Sequence, residues 1–402
     1  MGLEAAVGRG GEADPAGRWT ALSVLAAAVL LAMTTWFSAA AVLPQLRAEL
    51  SLSPMAATLL VIAVQLGFVV GAVASAATNL SDLVSPRRLI FASAVGAAVV
   101  NALLLVAPSP AVAVTLRGAT GLFLAGVYPP SLKAMATWFR RSRGTALGIM
   151  VGALTAGSAA PHLVNGLGGV RWQVVIVATS VLTLAGGVLA VVAGRDGPFP
   201  FPRATFDPRQ AGRVFADRSV RLASLGYFGH MWELYAMWAW FAAFFTAVLT
   251  ARGAPDPSRQ AAFATFAVIA VGALGCWVGG VLGDRWGRPR TTALAMAASG
   301  TCAVLIGPLS TGPAWLVLAV GLVWGFWVVA DSAQFSTLVT EVADQRYVGT
   351  AVTLQLATGF TLTVATIWLV PVLVEAVGWR WAFAALAPGP ALGVVAMLRL
   401  RR

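Results

Sequence analysis

Apolar runs of about 20 residues recur along the whole chain, separated by short stretches rich in Gly, Pro and Arg. A bilayer core about 30 Å thick is crossed by roughly 20 apolar residues in a helix, so each run is long enough to span it. Backbone groups facing lipid find no water and must bond within their own segment, which makes these runs helices. Of the 402 residues, 59% are hydrophobic and only 10% charged, which excludes an ordinary water-soluble domain. The sequence predicts an all-α membrane protein with spans near 20–42, 54–78, 88–107, 111–136, 144–166 and 172–193, then 220–249, 260–282, 291–309, 313–338, 348–373 and 380–398.

A net charge of +12 would suit a nucleic-acid binder only if the basic residues formed a stripe on a soluble face. Here most of the Lys and Arg fall in alternate loops and at the two termini, and a handful in the other loops. That asymmetry predicts a multi-pass protein of the cell membrane with both termini in the cytoplasm. The Arg, Ala and Gly bias points to a prokaryotic membrane. Nucleic acid is not an expected partner. The polar segment Met1–Arg18 precedes a run too long for a signal-peptide core, so despite Ser38-Ala39-Ala40 the run is read as an uncleaved first helix. Cys276 and Cys302 both fall inside spans and are expected as free, buried thiols.

The spans divide as six, a gap and six. Pro198, Pro200, Pro202 and Pro208, with Arg195, Arg203, Arg209, Arg213 and Arg218, mark the gap as a cytoplasmic linker. The expected organisation is therefore a six-helix unit over 1–193, a linker over 194–219 and a second six-helix unit over 220–402. The halves also repeat each other. Gly280-Val-Leu-Gly-Asp284-Arg285-Trp-Gly287-Arg288-Pro-Arg290 follows the eighth span, and Thr78-Asn-Leu-Ser-Asp82-Leu-Val-Ser85-Pro-Arg87-Arg88 follows the second. Gly144-Thr145-Ala146 likewise matches Gly349-Thr350-Ala351, and Val170-Arg171-Trp172 matches Trp379-Arg380-Trp381. Three correspondences at nearly one offset, half the chain length, predict two pseudo-symmetric bundles.

At these residues the sequence resembles the major facilitator superfamily, whose loop signature reads G-x-x-x-D-R-x-G-R. The copy from Gly280 to Arg288 is essentially complete, whereas in the first copy Thr78, Leu83 and Ser85 replace Gly, Arg and Gly. The resemblance implies twelve helices in two six-helix bundles around a central cavity, with substrate bound near the midplane and exposed alternately to each side. Independently of the family, the loop suits a conformational latch involving Asp82, Gly280, Asp284, Arg285, Gly287 and Arg288. Glycine permits close helix approach, Asp284 suits a helix terminus or a neighbouring Arg, and Arg285, Arg288 and Arg290 suit helix ends in the other half. The plainer alternative is that these arginines only set topology.

Ionisable groups within a span are costly and each implies a role or a partner. Arg117 is followed by Gly121, similar to the family's R-x-x-x-G pattern in the fourth helix, and shares a helical face with Leu124 and Tyr128. Two roles suit it: binding an anionic solute or holding a proton-carrying acid; snorkelling to the interface is the alternative. Lys133 on the same span suits an interfacial anchor. His230 and Glu233 lie on one stripe of the seventh span with Met237 and Trp240, placing an acid and an imidazole together either as a proton-exchanging site or as a mutually bonded packing pair. Asp331 is expected on a stripe of the tenth span with Trp324, Trp327 and Gln334. Gln65, Thr155, Ser158 and His162 are lesser candidates.

No nucleophile, metal-ligand cluster or phosphate-binding loop on a soluble domain points to an enzyme, and no cofactor or metal is expected. The sequence reads as a secondary transporter of a small organic solute, proton-coupled in the manner of a symporter, acting as a monomer. Alternatives are a drug or metabolite exporter of the same fold, or a membrane sensor that binds without translocating. Ala160-Pro161 matches the family's Gly-Pro antiporter pattern in the fifth helix only in part, so export is not inferred from it. A nitrate carrier would place arginines in the second and eighth spans, and neither has one.

Overall fold

The computed structural model describes residues 15–140, 142–168, 171–200, 207–344 and 348–400. Twelve long helices run back and forth: α1 (Arg18–Thr35), α2 (Pro54–Ala77), α3 (Pro86–Val106), α4 (Pro110–Ala136), α5 (Arg143–Leu167), α6 (Trp172–Val192), α7 (Arg218–Thr250), α8 (Pro257–Trp286), α9 (Arg288–Leu305), α10 (Ala314–Val342), α11 (Val348–Val377) and α12 (Trp379–Leu400). Eleven of them are long and apolar enough to cross a membrane by length and composition. The twelfth, α9, has 18 residues and opens with Arg288 and Arg290.

Several helices that hydropathy reads as continuous are interrupted, among them α12, where a 3-10 turn at Phe383–Leu386 parts Trp379–Ala382 from Pro388–Leu400. In α1 the α-helix ends at Ala32, a 3-10 turn covers Met33–Thr35, and short segments Ser38–Ala41 and Leu43–Glu49 follow. In α4 the break falls between Leu124 and Tyr128. Pro129 and Pro130 supply no N–H to the carbonyls four residues earlier, which accounts for it. In α10 the α-helix stops at Trp327 and resumes at Ser332, bridged by bonds from Ala330 N to Trp327 O and from Ser332 N to Val329 O. The expected continuous stripe through Trp324, Trp327, Asp331 and Gln334 is therefore cut, and Asp331 sits at the head of the lower segment.

Close approach at glycine binds the helices together. A Cβ on Gly67 or Gly121 would run into the facing backbone of α4 or α2, and one on Gly275, Gly279 or Gly325 would do the same between α8 and α10. Between the halves, α5 and α8 make the most extensive helix pair among the described residues, with α2 against α11 on the other flank. Gly144, Gly148 and Gly152 bring α5 onto Asp284, Cys276, Gly280 and Ala273 of α8, the small-residue packing that lets helices meet without a hydrophobic driving force. Cys276 and Cys302 are free and buried, as expected.

Candidate functional site

The second half holds two buried acids. His230 and Glu233 are three residues apart on α7 and so share a face of the helix, about 60° from one another. Instead of bonding each other, they take separate partners. His230 Nδ1 lies 2.9 Å from Asp331 Oδ1, with both side chains almost fully buried. This is an ion-pair distance without hydrogen-bond alignment, since that oxygen has no hydrogen-bond donor. The break in α10 is what brings Asp331 to α7. Glu233 Oε1 accepts from Trp324 Nε1 at 2.7 Å and Oε2 from Ser299 Oγ at 2.8 Å. Glu233 is thus held by an indole and a hydroxyl, with no cation among its bonded partners. The aromatic ring of Phe335 packs on His230.

The first half holds Arg117, likewise buried. It does not snorkel, and among the described residues it meets no carboxylate. Its Nη1 donates to Thr35 O at 3.0 Å, Ser38 Oγ at 3.2 Å and Asn101 Oδ1 at 3.2 Å, and its Nη2 donates to Trp36 O. Asn101 Nδ2 continues the network to Ser180 Oγ at 2.9 Å and Thr179 Oγ1 at 3.2 Å on α6. The carbonyls that Arg117 takes are those freed by the break in α1, so the arginine fastens the break and the two residues carried by it, Trp36 and Phe37.

Trp36 and Phe37 lead into a feature that hydropathy and the charged residues did not reveal. Between the halves lies an aromatic seam: Trp36 meets Phe68 of α2 at 4.8 Å between ring centroids, Tyr235 of α7 at 5.7 Å and Phe360 of α11 at 5.7 Å. Phe37 stacks on Tyr235 and meets Trp238 edge-on at 5.8 Å. All six rings are buried. The available signal was an aromatic pair directly after the Thr34-Thr35 dipeptide in a span otherwise made of small aliphatic residues. Tyr128 opens the lower segment of α4 and is half-buried. Trp327 is half-buried and edge-on to Phe326. Lys133 lies in the last turn of α4.

The loop motif makes contacts with a different wiring from that expected of a latch. Asp284 makes the crossing between halves: its Oδ2 accepts from Thr145 N and Thr145 Oγ1, both at 3.2 Å, at the opening turn of α5. Gly144 leaves room for it, since a Cβ there would collide with the carboxylate. Arg288, expected to reach the other half, bonds within its own: Nε donates to Glu341 Oε1 at 3.0 Å and Nη1 to Gln334 Oε1 at 2.9 Å, with Asp284 Oδ1 at 3.7 Å. Gln334, expected along the solute path, belongs to this cluster and donates to Gly279 O at 3.1 Å. Gly283 is the reason, because a Cβ there would occupy the space of the Gln334 amide. Gly287 ends α8 at φ 87, a left-handed conformation that favours glycine. Gly280 abuts Gly144 and Thr145 across the seam, whereas Arg285 and Arg290 are exposed. In the first copy the side chain of Asp82 lies outside the described residues, and Arg87 bonds Asp196 Oδ2 and Gly194 O, each at 3.0 Å.

Twelve long helices, a loop motif that recurs in the two halves and buried ionisable groups define a multi-pass transporter fold. The model of the Major Facilitator Superfamily matches residues 25–366, and the chain belongs to that superfamily of transporters, not of enzymes. It is 35% identical over 201 residues to the multidrug efflux pump LfrA of Mycolicibacterium smegmatis, a stretch covering 48% of this chain and 39% of that protein. The matched stretch thus spans well under half of that relative's length. Its fold matches, with a TM-score of 0.67 over 96% of both chains and 15% identity, the crystal structure of a bacterial homologue of the human lysosomal transporter Spinster in an inward-facing, unoccupied conformation.

Proposed function

We propose that the chain is a proton-coupled secondary transporter whose small organic solute binds in the aromatic seam while the units 1–193 and 220–402 rock about it, joined by the linker 194–219. The supporting observation is the pair of acids in the second half. Glu233 is held by a hydroxyl and an indole, and Asp331 by an imidazole, with no guanidinium or ammonium on either. Such an acid is stable in both states, because the donors hold the anion while protonation removes the cost of a buried charge. Glu233 and Asp331 carry the proton in this reading, His230 shares it, and Asp284 latches the closed form at the cytoplasmic end, where both termini lie. The match to a multidrug efflux pump favours export in exchange for protons over uptake as the direction.

The test is flux into reconstituted vesicles under an imposed pH gradient. Glu233→Gln and Asp331→Asn are expected to lose gradient-driven accumulation by about tenfold or more, equivalent to 1.4 kcal/mol or more of lost coupling, while still exchanging solute at equal pH. Full accumulation by both variants would remove proton coupling from these residues.

A further inference from the structure

Resting on the seam as solute site, we propose that the solute is a flat aromatic molecule, uncharged when bound, that carries both hydrogen-bond acceptors and donors. The argument is an accounting of polar atoms. Buried polar groups are almost always paired, so each orphan asks for a partner. On α7, Trp232 Nε1 donates to Ala385 O at 3.1 Å and Trp240 Nε1 to Ile367 O at 2.9 Å, but Trp238, which faces Phe37 across the seam, has an unpaired Nε1. Trp36 Nε1 is unpaired as well. Gln65 lies one turn before Phe68 on α2, fully buried, with neither amide oxygen nor nitrogen bonded.

The fifth helix adds two more. Thr155 touches Cys276 of α8 at 3.8 Å, and a Cβ on Gly157 would meet Leu30 of α1, which fixes two directions around α5. At about 100° per residue, Ser158 and His162 fall between those directions, on the face of α5 that lies between α1 and α8. Ser158 Oγ and both nitrogens of His162 are unpaired and buried. Trp36, Trp238, Gln65, Ser158 and His162 thus supply donors and acceptors on walls made of Phe37, Phe68, Tyr235 and Phe360.

Charge decides the rest. Arg117 is bonded to the carbonyls of α1 and to Asn101, and Glu233 to Ser299 and Trp324, while Asp331 faces His230 at 2.9 Å with its Oδ1 and the His230 Nε2 lacking hydrogen-bond partners, each within one half. None of the three is bonded across the seam. A fixed ion there would lose its water without gaining a counter-ion, which is the costly case. A neutral planar heteroaromatic gains stacking on the rings and pairs the orphans.

Acridone, neutral and carrying one C=O and one N–H, and N-methylacridinium, the permanent cation of the same ring system, separate the possibilities. Binding to the purified full chain is read by tryptophan quenching and by the rise in apparent melting temperature, neither of which needs a proton gradient, so failure here is distinct from failure of the flux test. Acridone is expected to bind at least about tenfold more tightly than N-methylacridinium. Trp238→Phe and Gln65→Leu, which keep the seam's bulk and remove its polar edges, are expected to weaken acridone by about 3- to 10-fold each and leave the cation unchanged. His162→Gln provides a third probe should either variant fail to fold. Tighter binding of the cation overturns the proposal, as does the absence of acridone binding or an acridone affinity indifferent to these substitutions.

Discussion

In the first half the buried charge is Arg117, whose guanidinium is spread over the carbonyls of Thr35 and Trp36, the Ser38 hydroxyl and the Asn101 amide. In the second half the buried charges are acids, and their partners are a hydroxyl, an indole and an imidazole. The difference lies in what a change of protonation would do. An arginine stays charged at physiological pH, so its network is a fixed frame that holds the break in α1 and aims Trp36 and Phe37. A carboxylate among neutral donors and beside a histidine can change state without leaving a stranded counter-charge. On the proposed reading, the first half supplies a rigid wall to the seam and the second a chargeable one.

The largest effect that would break this contrast is at Arg117. Arg117→Ala leaves carbonyls of α1 and Asn101 without donors, and buried hydrogen bonds from a charged group are worth about 1.5–3 kcal/mol each, so a loss of at least about 3 kcal/mol is expected. It would be read as a fall in melting temperature together with weaker solute binding through the displaced Trp36. A variant that melts like the parent but no longer couples to protons would place Arg117 in the proton path and dissolve the contrast.

A smaller effect sharpens the other side. Ser299→Ala and Trp324→Phe each remove one donor from Glu233 and leave the acid itself in place. The donors stabilise only the anion, so their loss favours the protonated form, and the changeover moves to higher pH. A bond to a charged group worth about 1.5 kcal/mol corresponds to roughly one pH unit, the upward shift expected in the midpoint of the transport profile. A downward shift, or none in either variant, would mean that Glu233 does not set that midpoint.

What the sequence disclosed and what it hid follow from the range of the forces involved. The spans, the repeat and the role of Asp284 against a helix start were legible, because hydropathy and motif spacing are local properties. The partners of the acids were not: Glu233 meets Ser299 and Trp324 only after α9 and α10 have packed on α7, and His230 meets Asp331 only because α10 unwinds. Nor could residue spacing show that Arg288 and Gln334 would join each other in the gap left by Gly283. The seam was hidden for a simpler reason. An aromatic residue in an apolar span adds to hydropathy without saying which way it faces, and only the break in α1 turns Trp36 and Phe37 toward the second half.

The smallest expected effect tests the latch, where the same contrast between halves appears again. The second-half copy crosses to α5 through Asp284, while Arg87 in the first copy bonds Gly194 and Asp196 on its own side. Asp284→Asn keeps the shape of the side chain but removes the charge facing the opening turn of α5, an interaction worth about 0.3–1 kcal/mol near an exposed helix terminus. Spin labels at exposed Leu83 and Arg290, in the two copies of the loop, would report the separation of the halves at that end. The variant is expected to raise the open fraction there by about two- to fivefold, whereas Arg285→Ala, which removes an exposed side chain, should move it little. Were Arg285→Ala to open that end and Asp284→Asn to leave it shut, the arginines would be the crossing element, and the carboxylate would serve only to order Arg288 within its own half.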